Sequence, residues 1–112
     1  MLFRSHLDVA LMIHMYHEID QPFGLLYNLA PALKAGGRVV ILDLDRPTFG
    51  HGTPPALLRC ELRAVGYTEL SFTRNGGEEY VAVFQAPSDS ARPTPAAIRA
   101  TLASAPCKAP VE

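Results

Sequence analysis

Strong charge, long apolar runs and paired cysteine motifs are all missing from this 112-residue sequence. Ten Lys and Arg stand against eleven Asp and Glu, a formal net charge of -1, and no basic run is present to track a phosphate backbone. That balance argues against a nucleic-acid partner. No stretch approaches the ~20 consecutive apolar residues of a membrane span. The start, 1–16, is superficially like a secretory leader, but Asp8 and His14 interrupt it and no A-x-A cleavage site follows. The two cysteines, Cys60 and Cys107, are far apart and lack CxxC spacing, so they are expected to remain unpaired in a reducing, cytoplasmic setting. Hydrophobic residues make up 48%, enough for the core of one small domain.

What is present alternates between strand and helix signals. Leu7 to Ile13 (LDVALMI) is a short apolar run of the kind buried in parallel sheets. The polar stretch His14 to Asp20 follows. Pro22 opens a helix capped by Asp20 or Gln21, with Leu26, Leu29, Ala30 and Leu33 on one face. Pro31 predicts a kink, Lys34 suits the helix carboxy terminus, and Gly36-Gly37 ends it. Arg38 to Leu44 (RVVILDL) is a β-branched strand. Thr53-Pro54 reads as cap and start of a second helix with Leu58, Leu62 and Val65 on one face, stopped by Gly66. Tyr67 to Arg74 is a third strand with Leu70 and Phe72 sharing a face. Asn75-Gly76-Gly77 signals a hairpin into Tyr80 to Gln85 (YVAVFQ). From 87 to 112 the chain is a Pro/Ala-rich tail, disordered or weakly helical, in which Thr94-Pro95 opens a helix carrying Ile98 and Leu102. The expected sheet is therefore α/β, mostly parallel with one antiparallel strand, in the order 1-2-4-3 and flanked by helices.

Three ordered strings carry a resemblance. Leu7-Asp8-Val9-Ala10-Leu11 resembles the fourth strand ("fDvv") of class I, Rossmann-like S-adenosylmethionine-dependent methyltransferases. Leu33-Lys34-Ala35-Gly36-Gly37-Arg38-Val39-Val40-Ile41 resembles that family's LkpGGrlvi entry to its fifth strand, with Ala35 in place of proline. Leu62-Arg63-Ala64-Val65-Gly66-Tyr67 resembles its "l..aGF" entry to the sixth. The NGG hairpin and YVAVFQ are similar to its last antiparallel pair, whose seventh strand inserts between the fifth and sixth. The resemblance covers 7–86 and implies a truncated, carboxy-terminal half of the fold (1–86). The family's GxGxG turn and ribose-binding acidic residue have no counterpart. Methyl transfer is what the resemblance implies. The isolated chain is expected to be inactive and to bind S-adenosylmethionine weakly or not at all. The alternative is a non-catalytic module that acts through self-association or partner binding.

Ligands of open α/β sheets sit beyond the carboxyl ends of the strands. Here those ends carry His14, His17 and Glu18, then Asp43, Asp45, Arg46 and His51. His17 or Glu18 suits a base for a nucleophilic substrate, because imidazole titrates near neutrality. The resemblance places Ile13 and His14 beside the cofactor's methionine end and makes His14 a further catalytic candidate, while the convergence of neighbouring strand ends makes Asp43, Asp45, Arg46 and His51 a substrate rim. The alternatives are a capping loop for His14 and His17, a solvated Glu18, and an Asp43 that bonds the following loop. Tyr16, Tyr27 and Phe49 are candidate lining residues, with core packing the alternative for Tyr27. Glu78-Glu79 reads as a solvated turn. The His14/His17 spacing matches no zinc signature, so no metal is expected. An apolar edge strand guarded only by Asp8 predicts a homodimer, with Leu7 to Ile13 pairing antiparallel with its own copy. A missing amino-terminal half or the folded-back tail are the other ways to cover it.

Overall fold

The computed structural model describes residues 7–108. Its four strands are β1 (Leu7–Ile13), β2 (Leu33–Leu44), β3 (Thr68–Gly76) and β4 (Glu79–Gln85), and its three α-helices are α1 (Pro22–Leu29), α2 (Pro55–Ala64) and α3 (Pro95–Ser104). The sheet order is β1-β2-β4-β3. β1 pairs parallel with β2, and β4 pairs antiparallel with both β2 and β3. The order and strand directions expected from the apolar runs and the NGG hairpin are those observed.

The helices do not sandwich the sheet. Alternation sorts each strand into two sides. Met12, Val39, Ile41, Tyr80, Ala82 and Phe84 join Leu26, Leu58, Leu62 and Ile98 in one core. On the other side Leu7, Val9, Leu11 and Ile13 are exposed, and Val40, Leu42, Val81 and Val83 are only half-buried. The reason is topological. Both crossovers, β1-α1-β2 and β2-α2-β3, advance in the same direction across the sheet, and connections of one hand then lay both helices on one face.

The end of α1 departs from its sequence reading. The α-helix stops at Leu29, a 3-10 turn spans Ala30–Ala32 around Pro31, and the chain is already extended at Leu33. Leu33 pairs with Leu7, and the Gly37 carbonyl accepts from Ala86 N at 3.0 Å, so the Lys34 to Gly37 stretch begins a strand rather than ending a helix. Neither Asp20 nor Gln21 caps α1: Gln21 is its N-cap residue and makes no side-chain capping bond. In β3 a register shift between Glu69 and Ser71 leaves Leu70 unpaired and exposed, whereas Phe72 stacks on Tyr80 with ring centroids 5.1 Å apart.

The tail is structured through residue 108. Thr94 Oγ1 accepts from Ala97 N at 3.1 Å and caps α3. Ile98 is buried and Leu102 packs against the core. Arg92 donates to the Tyr27 carbonyl at 2.6 Å with its guanidinium 4.2 Å from the Tyr27 ring centre. Cys107 forms a disulfide with Cys60 of α2, across a Cα–Cα distance of 5.5 Å. This bond overturns the expectation of two unpaired thiols, and with it the cysteine argument for a reducing compartment. The tail therefore packs over the helices. Among the described residues no strand pairs with the outer edge of β1.

Candidate functional site

The carboxyl end of β2 delivers Asp43 to the helix-covered side of the sheet, where it is fully buried. A buried carboxylate needs donors on its oxygens, and three converge here. Leu44 N donates to Oδ1 at 2.8 Å, Thr53 Oγ1 donates to Oδ2 at 2.8 Å, and His17 Nδ1 lies 3.1 Å from Oδ1. Thr53 is thus not the cap of α2 that its place before Pro54 suggests; the N-cap position is Pro54. Its hydroxyl is drawn to Asp43 because the loop folds back at Gly52. A Cβ there would collide with the Leu44 carbonyl oxygen and the Arg46 Cβ, so only glycine allows the approach. Thr53 N then closes on Leu44 O at 2.9 Å.

His17 sits in the 3-10 turn Tyr16–Glu18 that follows β1. Its imidazole side chain is 5% exposed. Asp43 accepts hydrogen bonds, so Nδ1 carries the proton and Nε2 is left with its lone pair in the neutral ring. Nε2 has no partner among the described residues, yet no buried polar side-chain atom lacks one, so Nε2 retains contact with solvent. The His51 ring stands edge-on to that of His17, with centroids 5.9 Å apart.

Beside this dyad lies a cleft of about 190 Å³, lined by Tyr16, His17, Asp20, Thr48, Thr53 and Glu61 together with the apolar Ile19, Pro22 and Leu57. Tyr16 donates to Glu61 Oε1 at 2.8 Å. Burial raises the Glu61 carboxyl above its ordinary range, and the Tyr16 hydrogen bond offsets part of that rise. The Tyr16 phenol is raised far above its usual value near 10, by burial first and then by the neighbouring Glu61. Behind Thr53, the buried Tyr80 donates to the Thr53 carbonyl at 2.7 Å, and burial raises its phenol too.

The sequence-selected residues divide. His17, Asp43 and His51 come together. Asp43 has no surface with which to meet a substrate; it orients His17. Glu18 is exposed on the same turn. His14 adopts φ 52° and turns to the open face, where its Nε2 lies 3.5 Å from Glu79 Oε2, and Ile13 is exposed on that face as well. Asp45 and Arg46 lean to the β3–β4 hairpin: Asp45 pairs with Arg74 at 3.0 Å and Arg46 with Glu78 at 2.7 Å. Glu78 pairs with Arg46 and Glu79 lies beside His14, and the two carboxylate side chains stay 51% and 38% exposed, as the reading of a solvated turn expects. Tyr16 lines the cleft, Tyr27 does not, and Phe49 is 88% exposed.

Glu61 was not singled out from the sequence, although a signal exists. Leu58, Glu61, Leu62 and Val65 fall at i, i+3, i+4 and i+7, which puts a carboxylate within the apolar stripe of α2. Among the described residues no group of three or more His, Cys, Asp or Glu side chains is placed to hold a metal ion. No helix of the described residues is long and apolar enough to cross a membrane. A comparison with known proteins finds no family model that matches the chain, and no curated protein that matches it.

Proposed function

We propose that this chain is the acceptor side of an S-adenosylmethionine-dependent methyltransferase, with His17 as the base that takes the acceptor's proton. The observation that carries the reading is the Asp43–His17 pair at the carboxyl ends of two parallel strands, with Nε2 open beside a cleft. The order β1-β2-β4-β3, with an antiparallel last strand inserted, supports it, as do the ordered strings LDVAL, LKAGGRVVI and LRAVGY. Asp43 and Thr53 act by position: they fix the ring plane and the tautomer, so no reorientation is needed when the proton moves.

The described residues do not fit the cofactor by themselves. A nucleoside cofactor needs a glycine-bearing turn in which backbone comes close, and the residues that follow β1, His14 to Glu18, include no glycine. Ile13 and His14 are two contacts at one strand end, not an enclosure. The remaining cofactor contacts must come from outside the described residues, and no step is assigned to the cofactor here. The test is a titration of the pure chain with S-adenosylmethionine, followed by amide chemical shifts. Binding weaker than ~1 mM with shifts at Ile13 and His14 is expected. Shifts that avoid both residues at saturating ligand exclude the reading, and micromolar affinity shows that the cofactor is held by residues other than these.

A second reading, a non-catalytic module that self-associates, is favoured by one observation. Leu7, Val9, Leu11 and Ile13 are 40–57% exposed along an unpaired sheet edge.

A further inference from the structure

We infer that the cleft beside His17 takes a small organic amine in its protonated form, with the Glu61 carboxylate as the cation's anchor. The inference rests on the acceptor-side reading for the role of the cleft and adds the chemical class of what it holds.

Three observations carry it. The first is Glu61 itself, a carboxylate only 9% exposed on the core-facing stripe of α2. Tyr16 occupies its Oε1 at 2.8 Å, and Oε2 accepts from no described residue. Since no buried polar side-chain atom is left without a partner, Oε2 must meet solvent, and Glu61 is a wall of the cleft. A carboxylate with one oxygen pinned and the other open, inside largely apolar surroundings, is costly to keep charged unless a cation comes to it. The second is the sign of the lining. Asp20 stands exposed at the mouth, and no Lys or Arg is among the lining residues, so no permanent positive charge faces the cleft, and the imidazole of His17 is already turned by Nδ1 to Asp43. The third is shape. Ile19, Pro22 and Leu57 supply apolar surface, and a space of about 190 Å³ limits the guest to a small body.

The same arrangement explains why a base stands beside an anchor. An ammonium must lose one proton before its nitrogen can act as a nucleophile. His17 Nε2 accepts that N–H proton; the nitrogen keeps its lone pair and the imidazole becomes the cation, with its charge balanced by the buried Asp43 on Nδ1. Glu61 holds the substrate, and His17, positioned by Asp43, moves the proton.

The test uses benzylamine at neutral pH, with benzyl alcohol and benzoate as matched controls of the same size. Calorimetry and amide shifts on the full chain are expected to give a dissociation constant of about 1 mM for benzylammonium. Benzyl alcohol should bind at least ~10-fold more weakly, and benzoate should not bind in the same range. The shifts should centre on Tyr16, His17, Asp20 and Glu61. Glu61→Gln keeps an acceptor for Tyr16 and should weaken benzylammonium about 10-fold or more. Asp20→Asn, at the exposed mouth, should weaken it about 2-fold, so a variant that does not depend on the buried pair is also available. Equal binding of benzyl alcohol or benzoate, unchanged affinity in a folded Glu61→Gln, or shifts away from these four residues would each overturn the inference. The cofactor titration is a separate readout. Amine binding absent with Ile13 and His14 still shifted by S-adenosylmethionine removes this inference alone. Amine binding present without those shifts leaves the cation site standing and removes the transferase reading.

Discussion

His17 and Asp43 are 26 positions apart in the chain and 3.1 Å apart in the fold, joined through Nδ1 at the carboxyl ends of neighbouring parallel strands. Asp43 is also the acceptor for Thr53 Oγ1 and Leu44 N, so three donors depend on one side chain. Asp43→Ala strands His17 Nδ1 and the Thr53 hydroxyl in a buried place. The expected loss is about 3 kcal/mol of unfolding free energy, read by urea denaturation. A loss within experimental error would mean that these groups find other partners.

The pairing of strands was legible because it rests on local patterns: apolar runs, the β-branched RVVILDL and the NGG hairpin. Two features were legible only in part. Leu33 continues the i+7 spacing of α1, yet Pro31 ends the α-helix, and pairing with Leu7 turns the same residue into a strand position; tertiary pairing outweighs a helical period there. The one-sided placement of the helices is a consequence of strand order, and becomes visible only when both crossovers are laid on the sheet together. Of the site, His17 and His51 were marked by position after a strand, and Asp43 by its place at a strand end. Glu61 was hidden because helix α2 reads as amphipathic around it, and the partner that makes it informative, Tyr16, lies 45 positions away.

The disulfide between Cys60 and Cys107 closes a loop with a sequence separation of 47 and ties the end of the tail to α2. Chain-entropy reasoning puts the effect of such a loop at about 4 kcal/mol as an upper figure. Cys107→Ser, or reduction by a dithiol, should lower Tm by several degrees and release hydrogen-exchange protection first in Pro95–Ser104. An unchanged Tm and an α3 that stays protected would show that Ile98, Leu102 and the Arg92–Tyr27 contact hold the helix unaided.

The β1 edge tests the self-association reading. Antiparallel pairing centred on Ala10 would set Leu7 opposite Ile13 and Val9 opposite Leu11, and Asp8 opposite Met12, so no like charges meet. Light scattering should give a dimer for the wild type and a monomer for Leu11→Lys. A monomeric wild type at the same concentration would contradict this pairing.

Glu61 makes stability depend on pH with a definite sign. Its carboxyl is raised in the folded state by burial, so the proton is bound more tightly folded than unfolded. The stabilising contribution is complete below the unfolded value near 4.5 and is lost as pH rises through the raised folded value. Glu61→Gln should abolish that decline, leaving the variant relatively more stable than the wild type on the neutral side. Parallel pH–stability curves for the two proteins would contradict the assignment. Benzylammonium affinity should rise over the same interval, as the anchoring carboxylate becomes charged.

The most direct measurement concerns one proton. The base role of His17 requires that Asp43 hold Nδ1–H and leave Nε2 with its lone pair, a choice that two-bond proton–nitrogen NMR of the imidazole reads without any ligand. The neutral ring of His17 should be the Nδ1–H tautomer in the wild type, and Asp43→Asn, whose amide can donate to Nδ1, should shift the ring to Nε2–H. Finding the Nε2–H tautomer in the wild type would contradict a His17 whose open nitrogen accepts a proton from the cleft.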